Sequence, residues 1–320
     1  MARLTENQCV LLTKLQLNAT QSIPSLATGL GLPEHTVRYA LAKAIDAGIV
    51  TKRCFLNPYS LGFAQYQLYF SLRGKSKEAF IKELADSELV SWIGKLGGDF
   101  NYGANFCATS ISDVYKLLER LSHNHGGAFL DKVFATRMAF TYFGNRYLAP
   151  SIQSPSALSY TMNQSIQPID ELDHTLLKSL VKDPSISARQ RARELAIPQS
   201  TVDYRLRSLE ERGVISGYYY EVDPTTIGYS SYLVLISTRG ISSRLYEALL
   251  DFAEREKNIV VLTQALGTWD FELGIDASSP QGALLVYERL TEEFANYINW
   301  SKLLPHFGNV KVKEYPRESL

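Results

Sequence analysis

The sequence predicts an α+β chain of two like halves, each with a three-helix block ahead of a strand-helix-strand-strand-helix-strand layer. Three observations predict it. Short motifs recur in order at a lag of about 165 residues: Gly48-Ile49-Val50 returns as Gly213-Val214-Ile215, and Asn57-Pro58 with Gly62 returns as Asp223-Pro224 with Gly228. Arg73-Gly74 and Phe143-Gly144-Asn145 return as Arg239-Gly240 and Phe307-Gly308-Asn309. The apolar spacing changes from a helical to an extended period at the same place in each half. Residues 149–168, rich in Ser, Pro and Gln, separate the halves without periodicity.

The elements follow in order. Leu11, Leu12 and Leu15 share a helical face, as do Leu176, Leu177 and Leu180, with Thr5 and Asp170 as N-caps. A second short helix lies near residues 25–30 and 188–195. A tight turn follows at Gly31-Leu32-Pro33 and Ala196-Ile197-Pro198, where proline suits a helix start. The third helix spans about 34–46 and 199–211 and stops at Gly48 and Gly213. Residues 49–55 and 214–222 read as extended chain, a wing or strap. Strands are expected near 65–72, 90–96, 102–108 and 132–142, with helices near 76–85 and 112–122. The second half repeats them near 231–238, 259–266, 271–276 and 299–305, with helices near 243–256 and 280–294. The fold class is therefore two winged helix-turn-helix domains (1–62 and 169–228) and two ferredoxin-like βαββαβ domains (63–148 and 229–320), joined by a linker at 149–168. Each βαββαβ sheet has an open face that needs a cover, most simply a second copy.

The function classes narrow with composition. The 320 residues carry 33 Lys and Arg against 33 Asp and Glu, a net charge of zero. A protein that coats nucleic acid indiscriminately is not expected, but a local basic face is compatible with that balance. No apolar run approaches the roughly 20 residues of a membrane span, and no leader precedes the first helix, so the expected location is the cytoplasm. Cys9, Cys54 and Cys107 lack metal spacing and read as reduced, buried thiols. His123-Asn124-His125 has no third ligand type at metal spacing and reads as surface loop, so no metal, cofactor or catalytic residue is assigned. Trp92, Trp269, Trp300, Tyr66 and Tyr69 fall on strands and read as sheet packing.

The third helices carry the chemistry. Their outward faces bear Thr36, Arg38, Tyr39 and Lys43 in the first half, and Gln199, Ser200, Thr201, Tyr204, Arg205 and Arg207 in the second. Arg pairs two guanine edge atoms, Gln does so with adenine, and Thr touches the thymine methyl. Arg189, Arg191, Arg193, Lys52 and Arg53 are placed to hold phosphates. Glu34 and Asp203 repel phosphate, so each helix reads its groove from a limited face. The expected partner is double-stranded DNA.

The stretches IPSLATGLGLPEHTVRYALAKAIDAGIV and ISARQRARELAIPQSTVDYRLRSLEERGVISGYYYEVDP resemble the winged-helix region of the Lrp/AsnC family of transcriptional regulators. GGDFNYGANF and LGTWDFELGI resemble that family's Gly-Asp-x-Asp turn, with Asn101 at the second acidic position of the first copy and Thr268 at the first of the second. The resemblance implies a regulator that binds a small amino acid as effector at Gly98, Asp99, Asn101, Gly267, Thr268 and Asp270, and that forms homo-oligomers. The glycines permit close approach, and Asp99 or Asp270 would accept a ligand ammonium. Siroheme decarboxylases resemble the same family and pair two such units. They are the alternative, although GFAQYQLYFSLRG and GYSSYLVLISTRG lack the histidine of their first-strand motif.

Overall fold

The computed structural model describes residues 4–74, 77–240, 242–313 and 315. The first half begins with α1 (Glu6–Leu15), α2 (Ile23–Leu30) and α3 (Glu34–Asp46), followed by β1 (Val50–Leu56). Then come β2 (Ala64–Leu72), α4 (Lys77–Asp86), β3 (Val90–Leu96), β4 (Tyr102–Ala108), α5 (Ile111–Asn124) and β5 (Phe129–Tyr142). The second half runs α6 (Glu171–Lys182), α7 (Ala188–Glu194), α8 (Gln199–Glu211), β7 (Ile215–Val222), β8 (Ser230–Thr238), α9 (Ser243–Arg255), β9 (Ile259–Gly267), β10 (Phe271–Ala277), α10 (Pro280–Glu293) and β11 (Ile298–Val312). The mixed α+β class holds. The N-caps Thr5 and Asp170 bond the amides of Gln8 and Asp173. Pro33 and Pro198 sit one residue outside α3 and α8, as N-caps, and Gly48 and Gly213 follow those helices at positive φ.

One departure is β6 (Leu158–Thr161), in the segment read as featureless linker. It pairs with the second part of β5, Ala139 to Tyr142. Four residues are too few to show a period, and the pairing partner lies elsewhere in the chain.

Each wing serves both helical blocks: Val50 of β1 and Ile215 of β7 stay in the cores of their own blocks, and the strands then cross to the other. β1 pairs antiparallel with β7 in a separate two-stranded ribbon, Val50 opposite Val222 and Arg53 opposite Tyr219. Tyr220 and Val222 of β7 complete the core around Leu11, Leu12, Leu15 and Val37 of the first helical block. Cys54 and Leu56 of β1 complete the core around Leu177, Leu180 and Leu209 of the second. Backbone bonds run the same way: Tyr220 N–H donates to Gln16 O, and Asn57 N–H to Val214 O. Each block thus buries apolar side chains from the other half, at roughly 1.5–3 kcal/mol per large side chain.

The two βαββαβ sheets also join, edge to edge rather than face on face. The order β2-β4-β3-β11-β8-β10-β9-β5 closes through the β5–β2 pairing into an eight-stranded ring, with β6 flanking β5. The seams between halves are β3–β11 and β5–β9. The open faces expected to need a covering copy become the barrel interior. The outer faces pack beneath the helices, around Phe70, Phe80 and Phe106 in one half and Phe252, Leu273 and Leu290 in the other.

A corner after β5 ties the first helical block to this barrel. Gly144, at φ +71°, lets the chain pass against Gln16. The Asn145 amide donates to Gln16 Oε1 at 2.8 Å. Arg146, though buried, places its terminal nitrogens on the carbonyls of Ala253, Glu254 and Glu256 at the end of α9 and of Ile259 at the start of β9. Asn145 Nδ2, the Tyr147 hydroxyl and the Ser231 hydroxyl all donate to Asp276, at 2.9, 3.1 and 2.6 Å. Burial nevertheless pushes the Asp276 carboxyl from 3.8 up to about 6, against the lowering pull of those bonds. The folded chain therefore holds a proton there that the unfolded chain releases, and stability falls as pH rises from about 4 to about 6. Asp276→Asn should remove up to about 3 kcal/mol of that fall. Urea midpoints between pH 4 and 7 test it; parallel curves for the variant and the native chain would contradict it.

Candidate nucleic-acid interface

α3 and α8 each follow a shorter helix and a turn, and each keeps one face out of its block's core. Val37, Leu41 and Ala44 point inward from α3, and Val202 and Leu209 from α8. On the outer faces Tyr39 and Tyr204 occupy equivalent positions and are 70 % and 68 % exposed. Phe307 and Tyr115 elsewhere are similarly open, so it is the recurrence at the same position of two matched helices, rather than exposure alone, that marks these rings. Arg38 and Lys43 are exposed beside Tyr39; Gln199, Ser200 and Arg207 are exposed around Tyr204. Thr36 and Thr201 are half-buried at the start of each helix. Asp203, also exposed, accepts from Gln199 Nε2 at 3.4 Å.

Two arginines read as nucleic-acid contacts are engaged by other groups of the chain. Arg205 donates to Asp170 at 2.6 Å and to Asp173 at 3.2 Å, tying α8 to the first turn of α6. The Asp173 amide and Arg205 together hold the Asp170 carboxyl below its ordinary value. Arg191 is 1 % exposed and bonds Ser179 Oγ and the Asp183 carbonyl, so it cannot reach a phosphate. Helical spacing alone placed both on polar faces; it does not show that a neighbouring helix supplies the acceptors. Arg189 and Arg193 stay exposed on α7. Arg53 pairs with Glu221 across the ribbon at 3.0 Å, and the Lys52 ammonium lies over the Tyr218 ring at 5.9 Å.

The residues of the two acidic turns are brought to the same end of the barrel, away from the ribbon. Phe100 and Trp269, one from each turn, plug that end against Tyr69. Gly98 has φ +83°. Asp99 pairs with Lys302 at 2.5 Å, and the Asn101 amide donates to the Phe70 carbonyl. At Gly267 a Cβ would lie 2.4 Å from the Phe134 carbonyl oxygen, so only glycine fits the β5–β9 seam. The Thr268 hydroxyl donates to the same carbonyl, and Asp270 accepts from both the amide and the hydroxyl of Thr238. Among the described residues no group of three His, Cys, Asp or Glu is placed to hold a metal, and His125 pairs with Glu83. No helix among them is long and apolar enough to cross a membrane.

The ribbon end of the barrel is different. There a chamber of about 400 Å³ lies between the barrel mouth and the β1–β7 ribbon. Ribbon residues Phe55 and Tyr219 form its roof; Gln65, Arg137, Glu272 and Tyr160 are among the groups from β2, β5, β10 and β6 that line it. Sequence reasoning assigned none of these a role. Their signal was a polar residue at an inward strand position, which is visible only once the barrel is closed.

Residues 169–216 match the winged helix-turn-helix DNA-binding family model. The chain is 36 % identical over 89 residues to the HTH-type transcriptional regulator LrpA of Pyrococcus horikoshii, covering 28 % of this chain and 60 % of that protein. It is 31 % identical over 103 residues to an uncharacterized HTH-type transcriptional regulator of Pyrococcus abyssi, covering 32 % of this chain and 68 % of that one. The chain thus spans about 60 % of the first relative's length. In fold it resembles the siroheme decarboxylase NirDL, with a TM-score of 0.64 over 98 % of this chain and 95 % of that one, at 15 % identity. That likeness is one of architecture. With the winged-helix match at 169–216 and the relative matched over 68 % of its length, the chain belongs to the Lrp/AsnC-type family of HTH-type transcriptional regulators.

Proposed function

We propose that the protein is a sequence-specific regulator of transcription whose two winged-helix units, paired within one chain, read double-stranded DNA together. The observation that carries this is the matched exposure of Tyr39 and Tyr204 on two third helices whose blocks share one ribbon. In this reading α3 and α8 enter successive major grooves about 34–36 Å apart, or a multiple of that. Tyr39, Arg38, Thr36 and Lys43 contact one half-site; Tyr204, Gln199, Ser200, Thr201 and Arg207 contact the other. The halves differ in sequence, so the preferred site is an imperfect inverted repeat. Arg205 acts by holding α8 on α6 rather than by reading bases. A small-molecule effector such as an amino acid, bound at Gly98, Asp99, Asn101, Gly267, Thr268 and Asp270, would act by favouring one assembly of a homo-oligomer over another.

The fold shared with NirDL favours a second reading, a siroheme decarboxylase-like enzyme. The chamber lining contains tyrosines, carboxylates and Arg137 but no histidine. A tetrapyrrole turnover assay on the purified protein decides it: loss of carboxylate from siroheme would establish the enzyme.

Selection of duplexes from a random pool, with and without mixed amino acids, should recover a two-part site. Tyr39→Ala/Tyr204→Ala should weaken that site by tenfold or more, about 1.4 kcal/mol. Equal affinity of variant and native chain would remove these helices from the interface. Arg205→Ala should lower stability by about 1–2 kcal/mol, because it strips charged hydrogen bonds from Asp173, which is buried. Unchanged stability with lost base preference would return Arg205 to the groove.

A further inference from the structure

We infer that the chamber under the ribbon is a binding site for a small organic carboxylate with an apolar or aromatic body, its acid group held by Arg137. Three observations carry this.

The first is an unmatched charge. Arg137 is 6 % exposed, yet among the described residues no carboxylate lies within ion-pairing distance of it. Its Nη1 donates to Gln65 Oε1 at 2.8 Å and to the Tyr160 hydroxyl at 3.3 Å, and its Nε finds no acceptor. A buried guanidinium costs several kcal/mol unless it is paired and fully hydrogen-bonded. Arg146, buried to the same degree and likewise without an acceptor for its Nε, still places its two terminal nitrogens on four backbone carbonyls. Arg137 has no such set. Glu272, across the chamber, accepts from Gln67 and Tyr69; its charge and that of Arg137 favour each other, but the two groups make no ion pair. A ligand carboxylate supplies the missing charge and fits a guanidinium edge.

The second is shape. A chamber of about 400 Å³ falls within the roughly 300–1,000 Å³ range of small-molecule sites. Phe140 lies 4.9 Å from the Arg137 guanidinium and stacks on Tyr160. Phe55 and Tyr219 close the side toward the ribbon. An acid group at one end and rings along the walls select an amphipathic acid.

The third is broken symmetry. Glu272 and Asp276 on β10 stand where β4 has Gly103 and Cys107. β6, which brings Tyr160, has no counterpart beside β11 among the described residues. A barrel that needed only packing has no reason to place two carboxylates on β10 where β4 carries a glycine and a cysteine. Because the roof is the ribbon shared by both winged units, filling the chamber bears on their placement. That consequence rests on the regulator reading; binding itself does not.

The test uses the full chain and no DNA. Phenylacetate and naphthalene-2-acetate, each against its neutral amide, are titrated while tryptophan fluorescence is followed, Trp92 being part of the lining. Calorimetry provides a second measure. The acids should bind at least tenfold more tightly than the amides, and the larger ring more tightly than the smaller. Arg137→Gln should abolish the preference for acid over amide. Should Arg137→Gln fail to fold, Asn105→Phe fills the chamber without touching the bonds of Arg137 and should abolish binding of both acids. Equal binding of acid and amide, no binding by the native chain, or full binding by Asn105→Phe would overturn the assignment. A failure here leaves operator selection untouched, and a failure of operator selection leaves this result standing.

Discussion

The exchange of wings between the two halves is the constraint on which the rest depends. β1 starts in the core of the first helical block and ends in the core of the second, and β7 makes the return. Neither block can bury its apolar face without the other half, so the pairing is part of folding rather than an association added afterwards. The ribbon then fixes the relation between α3 and α8, which a flexible tether would leave to chance. Closure of the barrel through β3–β11 and β5–β9 adds a second, independent tie between the same halves.

The barrel answers a problem that each sheet faces alone. A four-stranded sheet with helices on one face leaves two exposed edges and an open surface. Joining edge to edge removes both edges and turns the open surfaces inward. The interior is then filled unevenly. Phe100, Trp269 and Tyr69 pack one end; the ribbon end keeps polar groups around a space. The recurring corner motif shows the same division of labour. Asn145 joins Gln16 to Asp276 and so couples a helical block to the barrel, while Asn309 accepts from Trp92 Nε1 at 2.7 Å beside the chamber.

Much of this was legible in the sequence where the determinants are local. Caps at Thr5 and Asp170, the stop glycines Gly48 and Gly213, and the apolar periods of the strands all act within a few residues. The helix positions and the α+β class follow from them. What was not legible depends on partners far along the chain. β6 exists because β5 offers it an edge. The inward positions of Arg137 and Glu272 acquire meaning only when the eight-stranded ring, β6 and the ribbon surround them. Arg205 and Arg191 looked like free cations because a helical wheel shows which way a side chain starts, not what it meets. Tyr39 and Tyr204 were named only among the outward residues of their helices; their equal exposure at matched positions became visible in the fold.

The exchanged ribbon is tested most directly by a crosslink across its register. Thr51 and Glu221 face each other in the β1–β7 pairing. With Cys9, Cys54 and Cys107 replaced by Ser or Ala, Thr51→Cys/Glu221→Cys is oxidised at low protein concentration and run without reductant. A disulfide closed inside one chain, formed to the same extent at every dilution, is the expected result. A covalent dimer that disappears on dilution, or no disulfide at all, would contradict the pairing of the two winged units within a single chain.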